Sequence, residues 1–147
     1  MSEYYIDGFT VGSNPASEGG YTITDQYGNI LKQRFVKAES EEKLITNNYT
    51  EFLALGDCLK EFCKEGDKIL TDSKNNISWA NLRFPRKSKR RDLIPMAKQI
   101  NDLLHKLNIK LEWVSRNENW AGIVNEGYMP FLDLKGLKTQ KVAEFEK

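Results

Sequence analysis

Cysteine and histidine are scarce in this 147-residue chain: two cysteines, Cys58 and Cys63, and one histidine, His105. That is too few soft ligands for a zinc site, and a disulfide framework is equally unexpected. The cysteines lie five apart in a segment that reads as helix, about 500° of turn, so the spacing sends them to different faces as reduced packing residues. No apolar run approaches the roughly 18 residues of a membrane span, and the opening MSEYYIDGF lacks a secretory pattern. Net charge is nearly absent too: 22 Lys+Arg against 21 Asp+Glu leave +1, which neither demands nor excludes nucleic acid. What remains, 39% hydrophobic and 29% charged residues, excludes disordered and fibrous classes. The expectation is one cytoplasmic, monomeric domain over residues 1–147, without membrane contact. An irregular C-terminal segment is expected from about residue 128, where Pro130, Gly136 and several lysines follow Gly127.

The patterning predicts an α/β domain. Residues 4–9 (YYIDGF) are short, aromatic and β-prone, and residues 21–25 and 30–36 read as a hairpin turning near Tyr27-Gly28-Asn29. Thr46-Asn47-Asn48 offers capping side chains to a helix over about 48–64, with Phe52, Leu55, Leu59 and Phe62 at helical spacing. KILT, 68–71, is a short strand, and helical residues begin again after Ser73. A helix start follows at Asp92 and Pro95, with Ile100, Leu103, Leu104 and Leu107 on its apolar face, so one helical region is expected between this strand and the next. Ile109, Leu111 and Trp113 alternate as another strand, and a last helix begins near Asn119. Strands separated by helices imply a mixed sheet with parallel members, covered by helices.

Three acids stand where charge is unusual. Asp7 lies inside the first β segment, Glu51 shares the apolar face of the first long helix, and Asp72 follows directly on KILT. Each alone has an ordinary use, as a strand end, a helix-dipole partner or a cap. Gathered at one sheet edge, they would repel one another unless a divalent cation neutralised them, and hard oxygen ligands suit Mg²⁺ or Mn²⁺. Two such ions are the clamp used for phosphodiester hydrolysis. Elsewhere, RFPRKSKRR from Arg83 to Arg91 holds six cations and no acid. Trp79, Phe84 and Pro85 interleave with them, which favours nucleic-acid phosphate contacts by Arg86, Lys87, Lys89, Arg90 and Arg91 over a merely solvated loop.

From Tyr4 to about Glu126 the chain resembles the ribonuclease H family, type 1. YIDGFTVGSNP, 5–15, resembles the family's first strand and loop, and TNNYTEFLAL, 46–55, its TNN-x-x-E-L-x-A helix start. TDSK, 71–74, resembles its (S/T)-D-S block, and WVSRNEN, 113–119, its last strand and following loop. The resemblance implies a ribonuclease H-like fold, a five-stranded mixed β-sheet flanked by α-helices. It implies an endonuclease cutting the RNA strand of RNA–DNA hybrids with two Mg²⁺ or Mn²⁺ ions, held by Asp7, Glu51 and Asp72. Asn14, Thr46, Asn47 and Asn48 match positions that bind the hybrid. Amides both donate and accept, as contacts to 2′-hydroxyls require.

Two departures follow. The fourth acid of the family's last helix is missing, because the text there is Asn119-Trp120-Ala121-Gly122-Ile123. Glu126, one turn beyond Gly122, is the candidate replacement as a catalytic, metal-holding acid, and Asn119 or a water is another way to complete the shell. The loop histidine found in some members is also absent. His105 lies elsewhere, on an outer helix face, and Arg116 stands near that loop. Arg116 and Asn119 are expected at the nucleic-acid interface. Two other readings stay open: a hybrid- or duplex-binding module weakened by the missing acid, and a DNA-cutting nuclease on the same sheet. An unrelated α/β interaction domain is the blandest alternative.

Overall fold

The computed structural model describes residues 1–85 and 90–132. Strand β1 (Glu3–Thr10) pairs antiparallel with β2 (Glu18–Asp25), which pairs antiparallel with β3 (Ile30–Lys37). After helix α1 (Asn47–Glu61), strand β4 (Lys68–Thr71) returns parallel to β1 on its free side. Helices α2 (Lys74–Ala80) and α3 (Ile94–Lys106) follow, then β5 (Lys110–Trp113), parallel to β4, and α4 (Trp120–Leu132). The sheet order is β3-β2-β1-β4-β5, a five-stranded mixed sheet. The expected strands hold, with ends that move by a few residues. The one helix expected between β4 and β5 is two, because the chain turns after α2 through Leu82 at φ 62°.

Alternation in the strands divides the two faces. Ile6, Tyr21 and Ile23 point toward α1 and α3 and join Phe52, Leu55, Leu59, Ile69, Ile100 and Leu104 in the core. Asp7 and Thr22, one residue out of phase with them, are paired across the β1–β2 ladder. They face α4, which lies across β1 and β2. Thr46 caps α1, accepting from the Tyr49 N–H at 3.0 Å. Arg91–Leu93 and Arg116–Glu118 form single 3₁₀ turns before α3 and α4.

The β1–β4 ladder is short. It runs only from Glu3↔Lys68 to Tyr5↔Leu70, so the strands part before Asp7 and Asp72. This fork sets the position of everything that follows.

Two further sequence expectations change. Helix α4 runs to Leu132, through the Gly127 and Pro130 at which an irregular segment was expected. Glycine and proline weaken a helix without forbidding it, and α4 is anchored upstream by the buried Ala121 and Asn125. The remainder of that segment lies outside the described residues. Second, Cys58 and Cys63 do not diverge, since their Sγ atoms lie 3.8 Å apart. The helix stops at Glu61, and the Cys63 N–H bonds back to the Cys58 carbonyl at 3.0 Å, so ideal helical angles no longer apply. His105 is exposed, as expected, with Nδ1 2.8 Å from the Asn101 carbonyl. Among the described residues no helix is long and apolar enough to cross a membrane.

Candidate metal centre and its surroundings

Asp7 reaches the fork from β1, Glu51 from the second turn of α1, and Asp72 from the first residue beyond β4. One carboxylate oxygen from each lies within 4.8 Å of the others. The approach of α1 depends on Gly8. A Cβ there would meet the Glu51 backbone nitrogen at 2.7 Å and the Thr50 hydroxyl closer still. The Gly8 N–H donates to Glu51 Oε1 at 2.9 Å, and the Thr71 hydroxyl donates to Oε2 at 3.3 Å. Glu51 is thus buried with both oxygens fixed. The Trp113 indole N–H donates to the Asp72 carbonyl at 3.1 Å and pins the turn that presents its carboxylate.

Burial and mutual repulsion hold these acids above the ordinary carboxylate range. Burial, opposed by the Asn125 hydrogen bond and reinforced by the charge of Asp72, pushes Asp7 up to about 7. Burial and then the Asp7 charge raise Glu51 well above its usual value. Asp72 is raised as well, chiefly by burial, with Asn119 and Arg116 pulling it back. Three converging oxygen donors with no sulfur or nitrogen among them fit a hard divalent cation such as Mg²⁺ or Mn²⁺. The acids line a cleft of about 360 Å³ that also includes Asn47, Ser73 and Arg116.

Glu126 does not join the cluster. It sits on the cleft's rim, exposed, and its Oε1 accepts from Arg116 Nε at 2.8 Å. Glu126, expected as a fourth ligand, is thus not among the clustered acids of this structure, where Arg116 engages its carboxylate at the rim. The position facing the cluster is Gly122, where a Cβ would lie 3.4 Å from Asp72 Oδ2.

Asn119 is a second correction. It is fully buried rather than at a nucleic-acid surface. Its Nδ2 donates to the Ile6 carbonyl at 2.9 Å and to Asp72 Oδ2 at 3.3 Å, while its Oδ1 accepts from the Ala121 and Gly122 N–H groups. It caps α4 and steadies Asp72 from beneath. Asn125 and Thr22 escaped the sequence reading altogether. Asn125 Nδ2 lies 2.7 Å from Asp7 Oδ2, and the Thr22 hydroxyl donates to Asn125 Oδ1 at 2.6 Å. Thr22 lies between Tyr21 and Ile23, and Asn125 follows Ile123 and Val124, but only the fold shows that the two polar residues meet.

The expected hybrid-binding amides cluster beside the cleft. Asn14 Oδ1 accepts from the Asn47 N–H at 3.1 Å, and Asn48 Oδ1 accepts from Asn76 Nδ2 at 3.3 Å. Thr46, Asn14, Asn47 and Asn48 line one shallow depression with Asn75 and Arg90. Arg90 pairs with Asp92 at 3.0 Å and donates to the Leu44 carbonyl, and Arg91 is exposed. Arg86, Lys87 and Lys89 lie outside the described residues.

The fold is shared with solved RNase H domains. The chain is similar to the N-terminal RNase H domain of Rv2228c from Mycobacterium tuberculosis, solved as a fusion with maltose-binding protein. Identity is 26% and TM-score 0.57, covering 82% of this chain and 91% of that one. LC11-RNase H1, solved in complex with an RNA/DNA hybrid, is similar at 22% identity and TM-score 0.56, over 81% of this chain and 88% of that one. RNase H1 from the halophilic archaeon Halobacterium salinarum NRC-1 matches at 20% identity and TM-score 0.59, over 84% and 92%. No protein-family model and no curated protein matches the sequence.

Proposed function

We propose, for a chain whose fold is RNase HI-like, that it is an endonuclease hydrolysing the RNA strand of RNA–DNA hybrids. The observation that supports this most strongly is the meeting of Asp7, Glu51 and Asp72 in the fork of that fold. In this reading the three acids hold two Mg²⁺ or Mn²⁺ ions. When bound, the ions activate the attacking water and stabilise the leaving oxygen.

The chain's own residues supply the remainder. Glu51, fixed by Gly8 and Thr71, is the most buried of the three acids and sets the floor of the centre. Arg116, beside the acids, offers a permanent cation to the scissile phosphate; it moves no proton at neutral pH. Glu126 holds Arg116 at the rim. Asn14, Thr46, Asn47 and Asn48 meet the 2′-hydroxyls of the RNA strand in the wide minor groove. Arg90 and Arg91, with Arg86, Lys87 and Lys89, contact phosphates of the DNA strand and add affinity without sequence choice. The protein acts in the cytoplasm as a one-domain monomer.

The test is cleavage of a labelled hybrid with Mg²⁺ or Mn²⁺, beside duplex RNA, duplex DNA and branched DNA. Hybrid-selective cutting is expected, and Asp72→Asn should lower kcat by about a hundredfold or more. Full activity in that variant would remove the metal assignment, and DNA cleavage alone would move the chain to the DNA-cutting reading. A second reading is supported by Gly122. With no side chain there, α4 adds no acid to the centre, so the chain could be a hybrid-binding module of low turnover. Binding of hybrid without cleavage under either metal would select it.

A further inference from the structure

The Asp7 carboxylate does not stand alone on β1. The sheet register aligns Asp7 with Thr22 on β2, and Thr22 with Gln33 on β3, one row across three strands. Asn125 of α4 lies over this row, 3% exposed.

The chemistry of the groups fixes the direction of every bond. The Asp7 carbonyl can only accept, so the amide nitrogen of Asn125 faces it at 3.0 Å, and the second Nδ2 hydrogen reaches Asp7 Oδ2 at 2.7 Å. Asn125 Oδ1 then faces Thr22, whose hydroxyl must donate, at 2.6 Å. The same hydroxyl accepts from Gln33 Nε2 at 3.1 Å. Donation therefore runs one way, from Gln33 through Thr22 and Asn125 to Asp7. The Asn125 amide has no unused hydrogen and its oxygen is engaged.

An amide buried in this way costs free energy unless fully bonded, and an apolar residue would pack the same space without that requirement. The bonds hold one rotamer of Asp7 against the repulsion of Glu51 and Asp72. They also turn Oδ2 toward α4.

We propose that Asn125, held by Thr22, is a positioning residue for Asp7 that pre-forms the cation site in the metal-free protein. This rests on the metal-dependent reading above and extends it to residues that touch neither ion nor substrate. Groups that orient a metal-holding side chain are worth about 10–100-fold in metal affinity.

The test is Mn²⁺ binding to metal-free protein by titration calorimetry, with no turnover involved. Asn125→Ala should raise the Kd by about 10–100-fold. Thr22→Val, nearly the same shape but without the hydroxyl, should raise it in the same direction, while Thr22→Ser restores it. Thr22 does not line the cleft, and Thr22→Val leaves the Asn125 side chain in place beside Asp7, so it remains informative if Asn125→Ala does not fold. A purely structural role would lower Tm in the variants and leave their Mn²⁺ affinity at the wild-type value, and that result overturns the positioning role alone. Wild-type protein that binds no Mn²⁺ would overturn the metal-dependent reading and the positioning role together.

Discussion

Without divalent ions, the acid cluster should make the protein less stable as pH rises, the reverse of ordinary acid unfolding. Asp7 moves from an ordinary value near 3.8 when unfolded to about 7 when folded, so between those limits the folded chain holds more protons. Stability therefore falls as pH rises from about 4 to about 7. A shift of about three units corresponds to about 4 kcal/mol, and solvent in the open cleft reduces this to roughly 2–4 kcal/mol. For a chain of this size that is roughly 5–15 °C in Tm. Glu51 is shifted in the same sense and adds to the slope. Asp25 and Asp92, held low by Asn29 and Arg90 respectively, act in the opposite direction as pH falls. The clean quantity is thus the difference between wild type and Asp7→Asn. Calorimetric melts in excess EDTA should show wild type losing Tm relative to that variant from pH 4 to 7. Saturating Mn²⁺ should flatten the trend by neutralising the acids. A wild-type curve that runs parallel to Asp7→Asn in EDTA would refute the reasoning.

Other outcomes follow from the same geometry. Gly122→Asp places a fourth carboxylate toward Asp72, where a Cβ fits at 3.4 Å. It should tighten Mn²⁺ binding by about tenfold and lower Tm in EDTA, measured by calorimetry. Gly8→Ala forces β1 and α1 apart against the Glu51 backbone. It should cost about 1–3 kcal/mol by denaturant unfolding and reduce activity beyond the stability loss, because Glu51 moves with the helix.

The succession of strands and the three acids could be read from the chain because each carries a local signature. Alternation marks the strands, Thr46 marks the start of α1, and Asp7, Glu51 and Asp72 interrupt apolar patterns that should be buried. What escaped depends on distant partners. Asn125 looks like a solvated helix residue until β2 supplies Thr22, 103 positions away. Asn119 resembles a surface amide until α4 buries it over Ile6. Glu126 lies apart from the three acids because Arg116 engages it at the rim, a pairing that no local pattern announces. The cysteines meet rather than diverge because α1 ends at Glu61, two residues before Cys63, and the chain then folds back onto Cys58.

The amides that steady the acids come late in the chain. Asp7, Glu51 and Asp72 all precede residue 73, whereas the side chains that steady Asp7 and Asp72 belong to Asn125 and Asn119. The acids are therefore gathered by one part of the chain and steadied by another. A chain lacking α4 would hold β1 and β4 side by side with their carboxylates free to splay. Docking of α4 would then restrict those carboxylates, so binding of a divalent cation and docking of this helix should favour one another.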